Sequence, residues 1–186
     1  MTSARSTRPA VACAALALAT ASAGCEDLSR FSTGEGEAYC GTITLGAAFR
    51  RGFTPLTQMR LVLDATKLDT TDSPGTLTTR ELREEEDGGE VRLLDDAPLR
   101  PIPPLLHDVL SRPDLGAGRA RTAIYAVTPA APEAEGLLAV LSLRSDGNVE
   151  VRLIRPGASD DTNGLPEGRR PLFGLFTLRR QPGACF

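Results

Sequence analysis

The sequence predicts a mainly β protein, an antiparallel meander of about eight strands with one short helix. Apolar and polar residues alternate over most of the chain beyond residue 38, and this period of two is typical of half-buried strands. The stretches between these runs are short and rich in Gly, Pro, Asp and Ser, which are turn residues. Successive strands joined by short turns favour an antiparallel sheet.

Each predicted strand follows from its own alternating run. The predicted strands are 42–49, 58–65, 76–82, 90–95, 121–128, 136–144, 148–155 and 172–180. In the first, Ile43, Leu45, Ala47 and Phe49 are expected to share one face. The clearest local signal is Asp146-Gly147, because an Asp-Gly pair supplies the backbone angles of a tight hairpin turn.

A proline-rich segment is predicted to interrupt the sheet after the fourth strand. Pro98 to Pro104 contain several prolines, which lack the N–H donor of a strand ladder. Pro103 and Pro104 suit the start of a helix, and the next residues carry apolar side chains at helical spacing, namely Leu105, Leu106, Val109 and Leu110. We therefore expect the one short helix here.

Residues 1–24 are predicted to be a signal peptide. Arg5 and Arg8 give a positively charged start, and the uncharged run 10–23 is too short to span a bilayer as a helix. The run ends in Ser22-Ala23-Gly24-Cys25, which resembles the lipobox of bacterial lipoproteins, in which small residues precede a cysteine.

The resemblance implies that Cys25 carries a diacylglycerol and becomes the N-terminus of a protein anchored to a membrane of the cell envelope. Glu26 is not the aspartate of an inner-membrane sorting rule, so an outer-membrane destination is preferred. The alternative is an ordinary secretory peptidase that cuts after Ala21-Ser22-Ala23 and releases a soluble secreted or periplasmic protein.

The cysteine count bears on both the anchor and the fold. Cys13 lies in the removed segment, which leaves Cys25, Cys40 and Cys185, an odd set for an oxidising compartment. Lipidation of Cys25 resolves the parity and leaves Cys40 to pair with Cys185. These two flank the first and last predicted strands, which are neighbours in a closed up-and-down barrel. A small closed barrel is therefore the predicted architecture, and a two-layer β-sandwich is the alternative.

Removal of residues 1–24 leaves 162 residues, enough for one domain. Residues 25–38 are polar without a hydrophobic period and are predicted to be a flexible tether, and 39–186 a single β domain. The formal charge of this mature chain is −5, which argues against nucleic acid as a partner. Aromatic residues make up only 4% and Trp is absent, which disfavours a base-stacking platform.

None of the candidate chemical sites in the sequence supports a prediction of an enzyme, a metal site or a cofactor. His107 is the single histidine, and Ser111 lies one helical turn beyond it, but Asp108 points about 100° around the helix and is poorly placed to orient the imidazole. Asp160 to Gly164, with Glu167, offer oxygen ligands in an order that does not match a calcium loop. The pairs Arg169-Arg170 and Arg179-Arg180 are interpreted as solubilising.

Together these observations predict a membrane-anchored envelope lipoprotein whose non-catalytic β domain binds a partner protein or supports the envelope. The alternative is a lipocalin-like carrier of a small apolar ligand. The two differ in the interior of the barrel, because a carrier needs an apolar cavity of a few hundred Å³.

Overall fold

The computed structural model describes residues 31, 38–68, 70–82, 90–102, 119–131, 135–155, 171–182 and 184–186. In these residues the chain forms one antiparallel sheet of eleven strands that curls into a half-barrel. The helical content there is two single 3-10 turns, Ala47–Phe49 and Ala65–Lys67. The antiparallel β class predicted from the alternation is confirmed.

Seven strands are long and four have two residues each. They are β1 (Ala38–Thr42), β2 (Arg50–Arg51), β3 (Gln58–Leu63), β4 (Gly75–Leu82), β5 (Glu90–Val91), β6 (Ala97–Pro98), β7 (Arg100–Pro101), β8 (Arg119–Val127), β9 (Leu137–Arg144), β10 (Val149–Arg155) and β11 (Leu172–Gln181). The sheet order is β5-β4-β3-β1-β11-β10-β9-β8-β7, with β2 on β11 and β6 on β4. The first and last strands are therefore neighbours, as the cysteine argument predicted.

The hairpin between β9 and β10 forms where the Asp-Gly pair predicted it. The backbone N–H of Gly147 donates to the Arg144 carbonyl at 2.9 Å, and the N–H of Arg144 donates to the Asn148 carbonyl at 2.9 Å. Gly147 has φ +82°, whereas Asp146 stays outside the left-handed region and its side chain accepts from the N–H of Asn148 at 3.1 Å. The turn is thus a three-residue loop with a left-handed glycine at its end.

The first strand was wrongly placed at 42–49. β1 ends at Thr42, and of the four side chains expected on its buried face only Ile43 is buried, whereas Leu45, Ala47 and Phe49 are exposed. The N–H of Ile43 still donates to the Thr57 carbonyl and that of Thr44 to the Leu175 carbonyl, as in a strand between two neighbours, but residues Ala47–Phe49 then form a 3-10 turn. The alternation in this run is therefore not that of a strand.

The proline segment was also wrongly excluded from the sheet. Pro98 belongs to β6 and Pro101 to β7, while the N–H of Leu99 between them donates to the Gly75 carbonyl at 2.9 Å. A proline can occupy a short strand where its missing donor is not needed for pairing. The predicted fourth strand correspondingly shrinks to β5, Glu90–Val91.

The concave side of the sheet holds one apolar core. Every long strand contributes to it, and its largest fully buried side chains include Tyr39, Met59, Leu77, Leu141 and Phe176. Phe31, inside the predicted 25–38 tether, is only 2% exposed and belongs to the same core. The chain is therefore attached to the domain at least seven residues before β1 begins.

Several predictions lie outside the described residues. These are the signal peptide and Cys25, the helix with His107 and Ser111, the Asp160 to Glu167 loop, and Arg169-Arg170.

Candidate functional site: an arginine-lined groove

A groove of about 420 Å³ lies on the convex side of the sheet, where β1, β3 and β4 meet the last residues of the chain. Its walls are formed by Ala38, Arg60, Thr78, Arg92, Asp96, Ala184, Cys185 and Phe186. Strand register explains the arrangement, because Cys40 on β1 pairs with Arg60 on β3, and Arg60 pairs with Thr78 on β4. Side chains at paired positions point to the same face, so these three side chains share the convex face.

Asp96 is held at the edge of the groove by Thr78. The Thr78 hydroxyl donates to Asp96 Oδ1 at 3.0 Å and accepts from the backbone N–H of Asp96 at 3.1 Å. Asp96 has φ +41°, a left-handed conformation that Asp tolerates better than most side chains. The two hydrogen bonds fix this carboxylate in place without neutralising its charge.

The two guanidinium groups in the groove have different surroundings. Arg92 donates to Glu90 at 2.6 Å and to Asp95 at 2.8 Å, and these hydrogen bonds, Asp95 first, raise the pKa of Arg92. Arg60 is less engaged: its nearest recorded carboxylate oxygen, on Asp96, is 3.7 Å from Nη1, beyond hydrogen-bond distance. In the described part of the chain, Arg60 Nε is buried and has no hydrogen-bond partner.

The disulfide fixes the C-terminal wall of the groove. Cys40 and Cys185 are bonded, with Cα atoms 5.7 Å apart, which confirms the predicted pair. Beyond it, the ring of Phe186 lies 5.7 Å from the guanidinium carbon of Arg80, within cation–π range. The segment 184–186 is thus held against the sheet by a covalent bond and an aromatic contact.

The disulfide was predictable from the sequence, whereas the groove was not. Arg60, Arg92 and Asp96 belong to no motif, since the sheet assembles them from three separate stretches of the chain. The position of Cys185 was the one indication of the groove in the sequence, because its predicted bond to Cys40 placed residues near 185 beside the start of β1. Arg179 and Arg180, which were interpreted as solubilising, are exposed near the C-terminal end of β11.

The described residues show neither a metal-binding cluster nor a membrane-spanning helix. They contain no cluster of three or more His, Cys, Asp or Glu side chains suited to holding a metal ion. None of the helices in those residues is long and apolar enough to cross a membrane.

Comparisons with known proteins do not assign the chain to a family. No protein-family model, curated protein or solved structure matches it significantly.

Proposed function

We propose that this protein is a lipid-anchored envelope lipoprotein whose non-catalytic β domain binds a partner protein at the Arg60–Arg92 groove. The observation that carries the proposal is the buried Arg60 Nε–H, which has no acceptor among the described residues. A buried donor without a partner costs about 1–3 kcal/mol. The Arg60 side chain as a whole is 38% exposed, so a ligand can bring an acceptor to the other N–H donors of the same guanidinium.

The chemistry of the groove favours a carboxylate or carbonyl oxygen as the group that is bound. Thr78 bonds to Asp96, and Arg92 uses two of its five N–H donors on Glu90 and Asp95, whereas the buried Nε of Arg60 has no partner among the described residues. Charge-assisted hydrogen bonds from arginine are roughly twice as strong as neutral ones. The ring of Phe186 adds an apolar surface beside them.

We further propose that the curled sheet closes into a barrel through the segment 97–101. Its first half, β6, pairs with β4 through Leu77 and Ala97, and its second half, β7, pairs with β8 through Arg100 and Ala126. One residue, the fully buried Leu99, separates the halves. A single segment that pairs with both outer strands joins the two edges of the half-barrel.

The packing of the interior favours partner binding over the carrier alternative. Met59, Leu61, Leu77, Leu141 and Phe176 are all fully buried against one another in one core. A lipocalin-like carrier instead needs this volume to be free for its ligand. The groove on the convex side is therefore the better candidate for the binding surface.

In-cell photo-cross-linking tests the groove. A photoreactive residue at Ala184, which lines the groove, is expected to give a discrete adduct with a protein partner. Arg60→Met keeps the length of the side chain and removes its donors, so the adduct is expected to fall about tenfold, as for a charge-assisted hydrogen bond. Arg179→Met is the matched control, because Arg179 pairs with Cys40 on the opposite side of β1 and lies outside the groove. No adduct, or an equal yield from Arg60→Met, would contradict the proposal.

Fractionation tests the anchor separately. The Cys25→Ser protein is expected to leave the membrane fraction after a high-salt wash, whereas the wild-type protein stays because acyl chains contribute about 0.8 kcal/mol per buried methylene. Release of the wild-type protein by the same wash would refute lipidation as the means of attachment.

A further inference from the structure

The exposed large hydrophobic side chains of the described residues all come from one connection. They are Leu45, Phe49 and Leu56, which are 67%, 44% and 48% exposed. All three lie in residues 43–57, between β1 and β3, which we call the 43–57 lobe. Single exposed apolar residues are common on protein surfaces, but their concentration in one place marks an interaction site.

The lobe is built so that these side chains stay outside. Ile43 at its start donates to the Thr57 carbonyl at its end at 2.9 Å, so the two ends are joined. Phe53, in the middle of the lobe, turns inward and packs edge-on against Phe176 with ring centroids 5.7 Å apart. The strand pairing of β2 with β11 adds a third attachment. The exposed positions are therefore presented by an ordered segment and not by a loose loop.

Two sets of contacts fix the backbone that carries these apolar side chains. The join between Ile43 and Thr57 sets Leu45 and Leu56 on two facing stretches of chain, each within two residues of that join. The ring of Phe49 lies against Gly46, next to Leu45, because a Cβ at Gly46 would be 2.8 Å from Phe49 Cδ2. The N–H of Phe49 also donates to the Gly46 carbonyl at 2.8 Å.

The charge of the lobe is positive although the whole chain is acidic. Arg50 and Arg51 follow Phe49 directly, and residues 43–57 contain no Asp or Glu, while the formal charge of the chain is −3. Glu81 is the carboxylate bonded at the base of the lobe, where it accepts from the Thr57 hydroxyl at 3.1 Å. Leu and Phe side chains beside arginines match a membrane surface, whose headgroups are anionic and whose acyl chains lie beneath.

We propose that the 43–57 lobe docks on an anionic lipid surface, inserting Leu45, Phe49 and Leu56 while Arg50 and Arg51 contact headgroups. This proposal deepens the proposed membrane attachment and rests on it for the orientation of the domain. The placement of Phe31 supports it, because six residues from Cys25 to Phe31 reach at most about 20 Å. A domain tied that closely spends its time at the bilayer surface. A second copy of the chain is a poorer occupant, since two lobes would bring like charges together.

Vesicle co-sedimentation of the full chain with Cys25→Ser tests the lobe without the anchor. We expect binding to vesicles of equal parts phosphatidylcholine and phosphatidylglycerol, and weaker binding to phosphatidylcholine alone. Leu45→Ser, Phe49→Ser and Leu56→Ser combined are expected to lower the partition coefficient about a hundredfold, since each side chain is only partly inserted. Because these residues are exposed, the denaturation midpoint is expected to stay unchanged.

The arginines have a matched control in the same chain. Arg50→Ser with Arg51→Ser is expected to weaken binding to the anionic vesicles about twentyfold and to leave binding to neutral vesicles unchanged. Arg179→Ser with Arg180→Ser removes the same charge from the opposite end of β11 and is expected to have a much smaller effect. Equal effects of the two pairs would show that only net charge matters and would overturn the proposal.

Two other outcomes would also overturn it. One is no vesicle binding, or binding that the triple Ser variant retains. The other is concentration-dependent dimerisation, seen by sedimentation velocity, that the triple variant abolishes, because the lobe would then be an interface between copies. Failure of the lipid anchor gives a different result, since the Cys25→Ser protein still binds vesicles if the lobe acts as proposed.

Discussion

Removal of the Cys40–Cys185 disulfide is expected to destabilise the domain more than any other small change in the sheet. The bond joins residues 145 apart in sequence, so it closes almost the whole domain into one loop. The seam it secures is short, because β1 and β11 have three residue pairs in register whereas β10 and β11 have seven. Beyond these pairs the seam continues through the bridge between Ile43 and Phe176 and through the Thr44 N–H, which donates to the Leu175 carbonyl, so the disulfide secures a seam with fewer paired residues than that of β10 and β11.

The expected cost follows from the length of the closed loop. For a loop of this size, the chain-entropy model gives about 5 kcal/mol of stabilisation through restriction of the unfolded state. The free energy of unfolding of an ordinary domain is about 5–15 kcal/mol. The Cys40→Ala/Cys185→Ala protein is therefore expected to be marginally folded, with its unfolding midpoint shifted far toward low denaturant.

Urea unfolding followed by circular dichroism measures this loss. Wild-type and double-variant chains are compared in a Cys25→Ser background, so that the third thiol cannot exchange with the disulfide. Chemical reduction of the Cys25→Ser protein is the control, because it breaks the bond without removing the sulfur atoms. A loss of less than about 2 kcal/mol in both experiments would refute the loop-closure reasoning.

Two further predictions concern buried aromatic side chains. Phe31→Ala is expected to lower the free energy of unfolding by about 3 kcal/mol because Phe31 lies in the core, whereas Phe49→Ala, at an exposed position, is expected to change it by less than about 0.5 kcal/mol. Equal small effects of the two substitutions in denaturant unfolding would show that the contact of Phe31 with the core adds no stability. Burial raises the pKa of Tyr125 to about 12, and its hydroxyl donates to the Leu68 carbonyl at 3.2 Å. The folded state therefore holds the Tyr125 proton more tightly than the unfolded state, so about 2–3 kcal/mol of stability is lost as the pH rises from about 10 to 12. Tyr125→Phe is expected to remove that part of the pH dependence, measured as the free energy of unfolding at each pH.

Local sequence patterns predicted the parts of the fold that depend on neighbouring residues. β3, β9 and β10 begin or end within about two residues of their predicted positions, because each buries one face and shows a clean period of two. The alternation at 43–49 was misleading for a physical reason. Most of its apolar residues lie on the surface of the 43–57 lobe. A period of two in the sequence does not show whether the apolar side chains face the core or the solvent.

The groove could not be predicted from sequence because it depends on which strands become neighbours. Arg60 and Arg92 are separated by 32 positions and meet through the pairing of β3 with β4 and the return of the chain along β4. The same applies to Phe31, whose isolated apolar side chain in a polar stretch shows no period. The disulfide was predictable because cysteine parity is a property of the whole chain.

The covalent link between Cys40 and Cys185 also determines how the domain responds to force. In the proposed arrangement, a pull between a lipid at Cys25 and a partner held at residues 184–186 reaches Cys40 along the chain through Phe31 and leaves through Cys185, to which Cys40 is bonded. The load therefore passes through that bond and bypasses the strands between them, so the sheet is not peeled apart. Under the proposed function, the β domain would serve as a short mechanical link between a membrane and its partner and would stay folded under tension.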